Sequence, residues 1–122
     1  MSETKELNKI IKLIPELMQD KKAKEITILD VRKLTSLTDY FVLCTSESTP
    51  QTKAIMDHIY KKLRELGWRP NNLEDTKTLE WVAMDYFSIV IHIFNDETRK
   101  YYQFERLWGD AKITKIKESY ET

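Results

Sequence analysis

The side chains that could perform chemistry in this sequence are one cysteine, two histidines and several carboxylates. A thiol beside an imidazole could form a nucleophilic dyad, and Cys44, His58 and His92 would be its members. Cys44 lies in an apolar run typical of a buried strand, and two isolated histidines do not make a metal site. We therefore predict that Cys44 is a core residue. We also predict that His92 is a buried residue hydrogen-bonded to a nearby polar group, for which Asp85 and Asp39 are candidates.

Phosphate and nucleotide chemistry would require other signals. Both glycines, Gly67 and Gly109, follow apolar helical patterns and do not open a phosphate-binding loop. The sequence also lacks an Asp-x-Asp pair for a two-metal centre. The sequence therefore predicts no catalytic residue, no metal and no cofactor. The alternative is a divergent nucleotidyltransferase that uses Asp39, Asp85 and Asp96 with magnesium.

The composition bounds the class of protein. With 122 residues, 41% of them hydrophobic, the chain fits one domain that can bury a core, and this excludes a multidomain enzyme or a disordered chain. Twenty basic and twenty acidic residues give no net charge, which argues against a protein that coats nucleic acid. The first 22 residues do not resemble a signal or transit peptide, and no run approaches the roughly 18 apolar residues of a membrane span. We expect a cytoplasmic protein with no membrane partner.

Hydrophobic periodicity predicts an α+β fold, a single layered domain with a mixed β-sheet of about five strands flanked by helices. The predicted elements are a helix over 3–19, strands over 25–34 and 39–45, a helix from Ser48 to Gly67, a polar loop over 68–78, strands over 79–84 and 88–94, and one last helix from Asn95 to Gly109. The strand over 88–94 is apolar on both faces and should lie inside the sheet, with Val90, Ile91 and Phe94 in the core. Residues 1–111 form the predicted domain, and 112–122 form a polar, loosely held C-terminal tail.

One segment has the features of a recognition surface. Residues 68–96 contain two basic and five acidic side chains, a net charge of −3 in a neutral chain, and this favours a basic partner. Trp81 lies among these acids, and tryptophan is an enriched interface anchor. The alternative is that the acids are simply solvated and that Trp81 covers a sheet face. We predict a partly exposed Trp81 that anchors the partner. For Tyr101, Tyr102 and Trp108, the helical spacing favours core packing.

Several segments occur together in an order and spacing that resemble the ribosomal silencing factor family, also called Iojap-like. The resemblance runs from about Leu7 to Ala111 and rests on the segments DYFVLCT, QTKAI, EWVAMDYFSIVIHIF and RKYYQFERLWGDA. Its most specific part is the series Trp81, Asp85, His92, Phe94, Arg99, Tyr102, Glu105, Leu107 and Trp108.

The resemblance implies a fold related to nucleotidyltransferases but without their active site, and no catalysis. It implies binding to the large ribosomal subunit through ribosomal protein number fourteen on the joining face, which blocks the small subunit sterically and represses translation when nutrients are short. A minor contact with ribosomal RNA and a homodimer of the free protein are further expected partners. By position, the partner-binding candidates are Trp81, Glu74, Glu80, Val82, Met84, Asp85, Arg99 and Tyr102.

The sequence departs from the family pattern in its loops. Asn72 and Asp75 stand where relatives usually carry glycines, Phe87 and Ser88 replace a common Gly-Asp pair, and Ser46 replaces a usual glycine. These changes affect the expected loop geometry. A third hypothesis, from a different class, is a small RNA-binding domain, for which the basic candidates are Lys21, Lys22, Lys24, Arg32 and Lys33.

Overall fold

The computed structural model describes residues 2–118, and the side chains of residues 5–118. Along the chain the elements are α1 (Ser2–Asp20), β1 (Lys24–Asp30), β2 (Tyr40–Ser46), α2 (Thr49–Glu65), β3 (Asn72–Asp75), β4 (Trp81–Asp85), β5 (Ile89–Asn95), α3 (Asp96–Tyr102), α4 (Phe104–Leu107) and β6 (Lys112–Lys115). The strands form one six-stranded sheet in the order β3-β4-β5-β2-β1-β6. β2 and β5 run parallel and all other neighbours are antiparallel, which confirms the α+β fold with a mixed sheet.

Helices α1 and α2 cover one face of the sheet. Their apolar stripes form the larger core with alternate residues of β2, β4 and β5. The Ser48 side chain caps α2 by accepting a hydrogen bond from the Gln51 N–H, and Gly67 follows the helix with φ +87°, as predicted. α1 continues through Pro15 as a single helix. In the described part of the chain, no helix is long and apolar enough to cross a membrane.

The short helices α3 and α4 lie on the other face of the sheet. There, Phe104 of α4 packs with buried residues of β1, β2 and β5, among them Phe41 and Phe94. β5 lies inside the sheet, as predicted, and Ile91 and Phe94 are fully buried. Val90 is only partly buried, at the border of this smaller core.

Three of the predicted elements differ from those in the structure. β1 ends at Asp30 and not at residue 34, because the Asp30 carboxylate accepts a hydrogen bond from the Arg32 N–H and turns the chain. The predicted last helix is two helices, since Gln103 adopts a left-handed conformation with φ +47° between them. The loop over 68–78 contains β3, an edge strand whose side chains are all exposed and therefore show no hydrophobic alternation.

The predicted C-terminal tail also requires a correction. Residues Lys112–Lys115 are β6, which pairs antiparallel with β1 along Thr27–Asp30. Beyond the strand, the Ile116 N–H donates to the Ile26 carbonyl, the Lys117 carbonyl accepts from the Gln19 amide and the Glu118 carboxylate accepts from the Glu25 N–H. The expectation of a loosely held segment is therefore wrong for 112–118, and for 119–122 it lies outside the described residues.

Candidate partner-binding surface

Alternation along β4 decides which predicted contact residues can reach a partner. Trp81, Ala83 and Asp85 point to the face that carries α3 and α4, and all three are partly exposed. Val82 and Met84 point to the opposite face, where they are fully buried in the core under α1 and α2. The prediction that Val82 and Met84 contact a partner is therefore wrong, because strand geometry places them on the wrong face.

The sheet is open beside Trp81. Directly across β3 and β4, Glu74 pairs with Ala83 and Asn72 with Asp85, and β3 is exposed along its whole length. We call the surface formed by Asn72, Glu74, Ala83 and Asp85 the open sheet face. The open sheet face shares Glu74 and Ala83 with a cavity of about 290 Å³, which is lined by Glu74, Asp75, Thr76, Trp81, Ala83 and His92. This surface combines carboxylates with an indole, as a site for a basic partner requires.

Trp81 packs at the border between this surface and the smaller core. Its ring centroid lies 5.0 Å from that of Phe94, 5.0 Å from that of Tyr102 and 6.4 Å from that of Phe104. Phe94 is its direct cross-strand neighbour and Tyr102 comes from α3. The prediction that Trp81 is partly exposed is confirmed. The indole is therefore packed against aromatic side chains of β5, α3 and α4 while part of its surface remains exposed to solvent.

His92 holds the polar atom of this indole. The Trp81 Nε1–H donates to His92 Nδ1 over 2.9 Å. His92 is only 6% exposed, and burial lowers the pKa of its imidazole to about 4. The predicted burial and the predicted hydrogen bond to a polar group are confirmed, but that group is the Trp81 indole and neither Asp85 nor Asp39. His92 faces the aromatic cluster and pairs across the ladder with Ala83, two positions from Trp81.

Exposed aromatic and aliphatic side chains extend the surface along α3 and α4. Tyr102 is 50% exposed, Tyr101 is 80% exposed and their rings meet edge to face at 5.0 Å. Leu107 is 76% exposed. The prediction that Tyr101 and Tyr102 are core residues is wrong, because α3 ends at Tyr102 and the helical period does not continue through Gln103. Trp108 packs against Phe41 and is partly buried.

Arg99 is buried, and the prediction that it contacts a partner is wrong. Its guanidinium is bidentate to Glu105 at 3.0 and 3.1 Å, which closes the turn between α3 and α4. It also donates to the Glu25 carbonyl and to the hydroxyls of Thr45 and Thr27, at 2.6 to 3.1 Å. Arg99 therefore fastens the helix that carries Tyr102 to strands β1 and β2. The order of charged residues along the sequence does not indicate that Arg99 is buried or that it bonds to β1 and β2.

The two remaining acidic candidates, Glu80 and Asp85, differ in their surroundings. The Glu80 side chain is exposed beside Trp81. The Asp85 carboxylate accepts a hydrogen bond from the Phe87 N–H at 2.8 Å and so supports the turn between β4 and β5. In that turn Phe87 has φ +67°, a conformation that glycine adopts without strain. Of the altered loop residues, Asn72 donates to Glu74 at 2.9 Å.

The residues of the two alternative hypotheses are dispersed. Asp39 and Asp85 lie near the start of β5, whereas Asp96 follows its end, about 20 Å away along a seven-residue strand. Within residues 5–118, no three His, Cys, Asp or Glu side chains are grouped to hold a metal ion. Cys44 is fully buried, which confirms its predicted place in the core, and burial raises the pKa of its thiol to about 12.

The predicted basic group is divided between the two ends of β1. Lys21, Lys22 and Lys24 lie before or at its start, and Arg32 and Lys33 lie beyond its end. Lys24 pairs with Glu47 at 3.1 Å and Arg32 pairs with Asp30 at 2.7 Å. These five side chains do not form one basic patch.

The fold and this surface define a class of protein: a single α+β domain that exposes aromatic and acidic side chains together on one half of its sheet. A family model described as "Ribosomal silencing factor during starvation" matches residues 4–122. The chain belongs to the ribosomal silencing factor family, as its sequence motifs indicate.

Individual relatives agree with this assignment. A ribosomal silencing factor from Chromobacterium violaceum is 37% identical over 107 residues, which cover 88% of each chain. A crystal structure of a protein from the same organism superposes with a TM-score of 0.80 at 34% identity, over 93% of this chain and 95% of that one. A mouse relative, "Mitochondrial assembly of ribosomal large subunit protein 1", is 30% identical over 80% of this chain, which spans 44% of its length.

Proposed function

We propose that this protein binds the large ribosomal subunit through ribosomal protein number fourteen, blocks the small subunit from joining and thereby represses translation. The observation that carries the proposal is the position of Trp81. The indole packs against Phe94 and Tyr102 but is partly exposed, beside a sheet surface that carries Glu74 and Asp85. A rigid aromatic side chain next to carboxylates is suited to anchor a basic protein surface.

The composition of ribosomal proteins supports this choice of partner. They are mostly basic, so the acidic segment over 68–96 attracts them and steers their approach. The mouse relative is named for the ribosomal large subunit, which is the subunit that we assign as the target. The proposed action takes place in the cytoplasm, where bacterial ribosomes are.

The proposed mechanism is steric and requires no reactive group. A folded domain seated on the joining face of the large subunit occupies space that the small subunit needs. The buried thiol of Cys44 and the dispersed carboxylates of Asp39, Asp85 and Asp96 fit a binding protein better than an enzyme. The partner-contact residues that we retain are Trp81, Tyr102, Glu74, Glu80 and Asp85.

The proposal includes two further partners, ribosomal RNA and a second copy of this chain, and the structure limits the surface available to each. A minor contact with ribosomal RNA would use one end of β1 at a time, either Lys21 and Lys22 or Arg32 and Lys33, because the strand separates the two groups. A homodimer of the free protein would use exposed apolar side chains such as Tyr101 and Leu107, so it would compete with binding at the adjoining Trp81 surface.

Surface plasmon resonance with purified ribosomal protein number fourteen tests the proposal. Trp81→Ala should weaken binding roughly thirtyfold, because truncating a tryptophan anchor typically costs about 2 kcal/mol or more. Trp68→Ala is the matched control. Trp68 is also partly buried and also donates its indole N–H, here to Glu6, but it packs on the core under α1 and α2.

Both variants remove an indole and a hydrogen bond, so both should lower the melting temperature. Only Trp81→Ala should weaken binding at a temperature where both variants are folded. Equal binding by the two variants would contradict the proposal.

A further inference from the structure

The hydrogen bond between Trp81 and His92 sets the protonation of the imidazole. His92 Nδ1 accepts the indole N–H at 2.9 Å, so the proton of the neutral ring is on Nε2. The pKa of about 4 keeps this acceptor available across the physiological range of pH.

An imidazole at this position is energetically unfavourable in one respect. Its Nε2 atom is buried and has no hydrogen-bond partner among the described residues. The ring is surrounded by aromatic neighbours, with centroid distances of 4.5 Å to Phe104, 5.5 Å to Phe41 and 5.8 Å to Phe94. Leaving a buried donor unpaired is unfavourable, and a phenylalanine or leucine would avoid this. The bond to Trp81 is the interaction that an apolar side chain here could not make.

This bond also determines what a partner can meet at Trp81. The indole has a single polar atom, Nε1, and it is committed inside the protein. The aromatic neighbours Phe94 and Tyr102, each at 5.0 Å with a tilted ring, also contact the indole. The exposed remainder of the side chain is carbon.

We propose that His92 is a positioning residue, which fixes the orientation of the Trp81 indole and withdraws its N–H, so that Trp81 binds the apolar part of a partner side chain and donates no hydrogen bond. The inference rests on the proposed function for the identity of the surface. The positioning of the indole can be tested without any partner.

The test compares His92→Leu, which removes the acceptor, with His92→Asn, which keeps a hydrogen-bond acceptor close to the position of Nδ1. The resonance of the Trp81 indole N–H is followed by NMR, with the indole protons of Trp68 and Trp108 as internal references. In His92→Leu the Trp81 resonance should shift and its exchange with solvent should accelerate at least tenfold. In His92→Asn both changes should be substantially reversed.

Binding to ribosomal protein number fourteen is then measured for the same variants. His92→Leu should weaken binding about tenfold, and His92→Asn should recover most of the loss. In a Trp81→Phe background, which has no indole N–H, His92→Leu should have no further effect, because the two changes remove the same interaction. If His92→Leu does not fold, His92→Phe replaces it.

The outcomes distinguish a failure of the positioning role of His92 from a failure of the proposed function. An unchanged Trp81 resonance in folded His92→Leu, or equal binding losses with and without the Trp81 N–H, would overturn the positioning role. A wild-type protein that fails to bind while its Trp81 resonance still depends on residue 92 would overturn the proposed function and leave the positioning of the indole standing.

Discussion

Glu80 is the residue at which charge and anchoring can be separated. Its side chain is exposed beside Trp81, while its backbone is held on both sides, by the Thr76 hydroxyl at 2.8 Å and by the Asn95 N–H at 2.9 Å. Glu80→Lys should therefore leave the fold intact, slow the association with ribosomal protein number fourteen about threefold or more at low salt, and flatten the salt dependence. The dissociation rate should change little, because charges at the rim of an interface act mainly on encounter.

Glu65→Lys provides the control for this measurement. Glu65 is an exposed acid near the end of α2, on the other side of the sheet, where it pairs with Lys62 at 3.9 Å. Both variants change the net charge by the same amount. If stopped-flow or surface plasmon resonance gave the same association rate for both, the segment over 68–96 would have no steering role.

Arg99 stabilises the surface without touching a partner. Arg99→Met should lower the free energy of unfolding by about 3 kcal/mol, because it leaves Glu105 and the hydroxyls of Thr27 and Thr45 without their donor. The neighbouring Lys100→Met breaks only an exposed pair with Asp96 and should leave the stability almost unchanged. Urea titrations of the two variants measure the difference, and similar midpoints would show that Arg99 does not fasten α3 to the sheet.

At the scale of elements, the turn between β4 and β5 stores strain. Phe87 has φ +67° and a largely exposed ring, so its side chain contributes little packing to set against an unfavourable backbone conformation. Phe87→Gly should raise the free energy of unfolding by up to about 1 kcal/mol. Phe87→Ala, which removes the ring but keeps a Cβ, should not. Thermal melting of both variants tests this, and a more stable Phe87→Ala would locate the cost in the exposed ring.

The elements also show which features of the fold follow from local sequence. α2 could be predicted with its cap, because Ser48 and Gly67 bracket a regular apolar stripe, and β5 could be placed inside the sheet because it is apolar on both faces. β3 and β6 could not, since every side chain in them is exposed and edge pairing leaves no hydrophobic period. Such strands are specified by their partners across the sheet.

The candidate site was predictable to a similar extent. Trp81 and the acids around it can be selected from the sequence, because tryptophan is enriched at interfaces and an excess of acids indicates an exposed segment. The burial of Arg99 and the bond between Trp81 and His92 depend on contacts between distant segments, such as Arg99 with Thr27, which no local pattern encodes. The break between α3 and α4 depends on one left-handed residue, Gln103.

For the whole molecule, buried His92 predicts sensitivity to acid. The folded state lowers the pKa of His92 from 6.5 to about 4, so the unfolded chain binds more protons between these values. The contribution to stability is complete above pH 6.5 and is lost as the pH falls towards 4. Wild-type protein should lose about 2 kcal/mol between pH 7 and pH 5, measured by chemical denaturation. His92→Leu should show a much smaller loss, and an equal one would assign the acid sensitivity to other groups.

The central claim concerns the ribosome and not the isolated protein. Sucrose-gradient sedimentation of purified large and small subunits, mixed under joining conditions with and without this protein, tests it most directly. We predict that the protein migrates with large subunits, that the peak of joined ribosomes falls as protein is added, and that Trp81→Ala loses both effects while Trp68→Ala keeps them. Joined ribosomes at an undiminished level, with the protein at the top of the gradient at every salt concentration, would contradict the account.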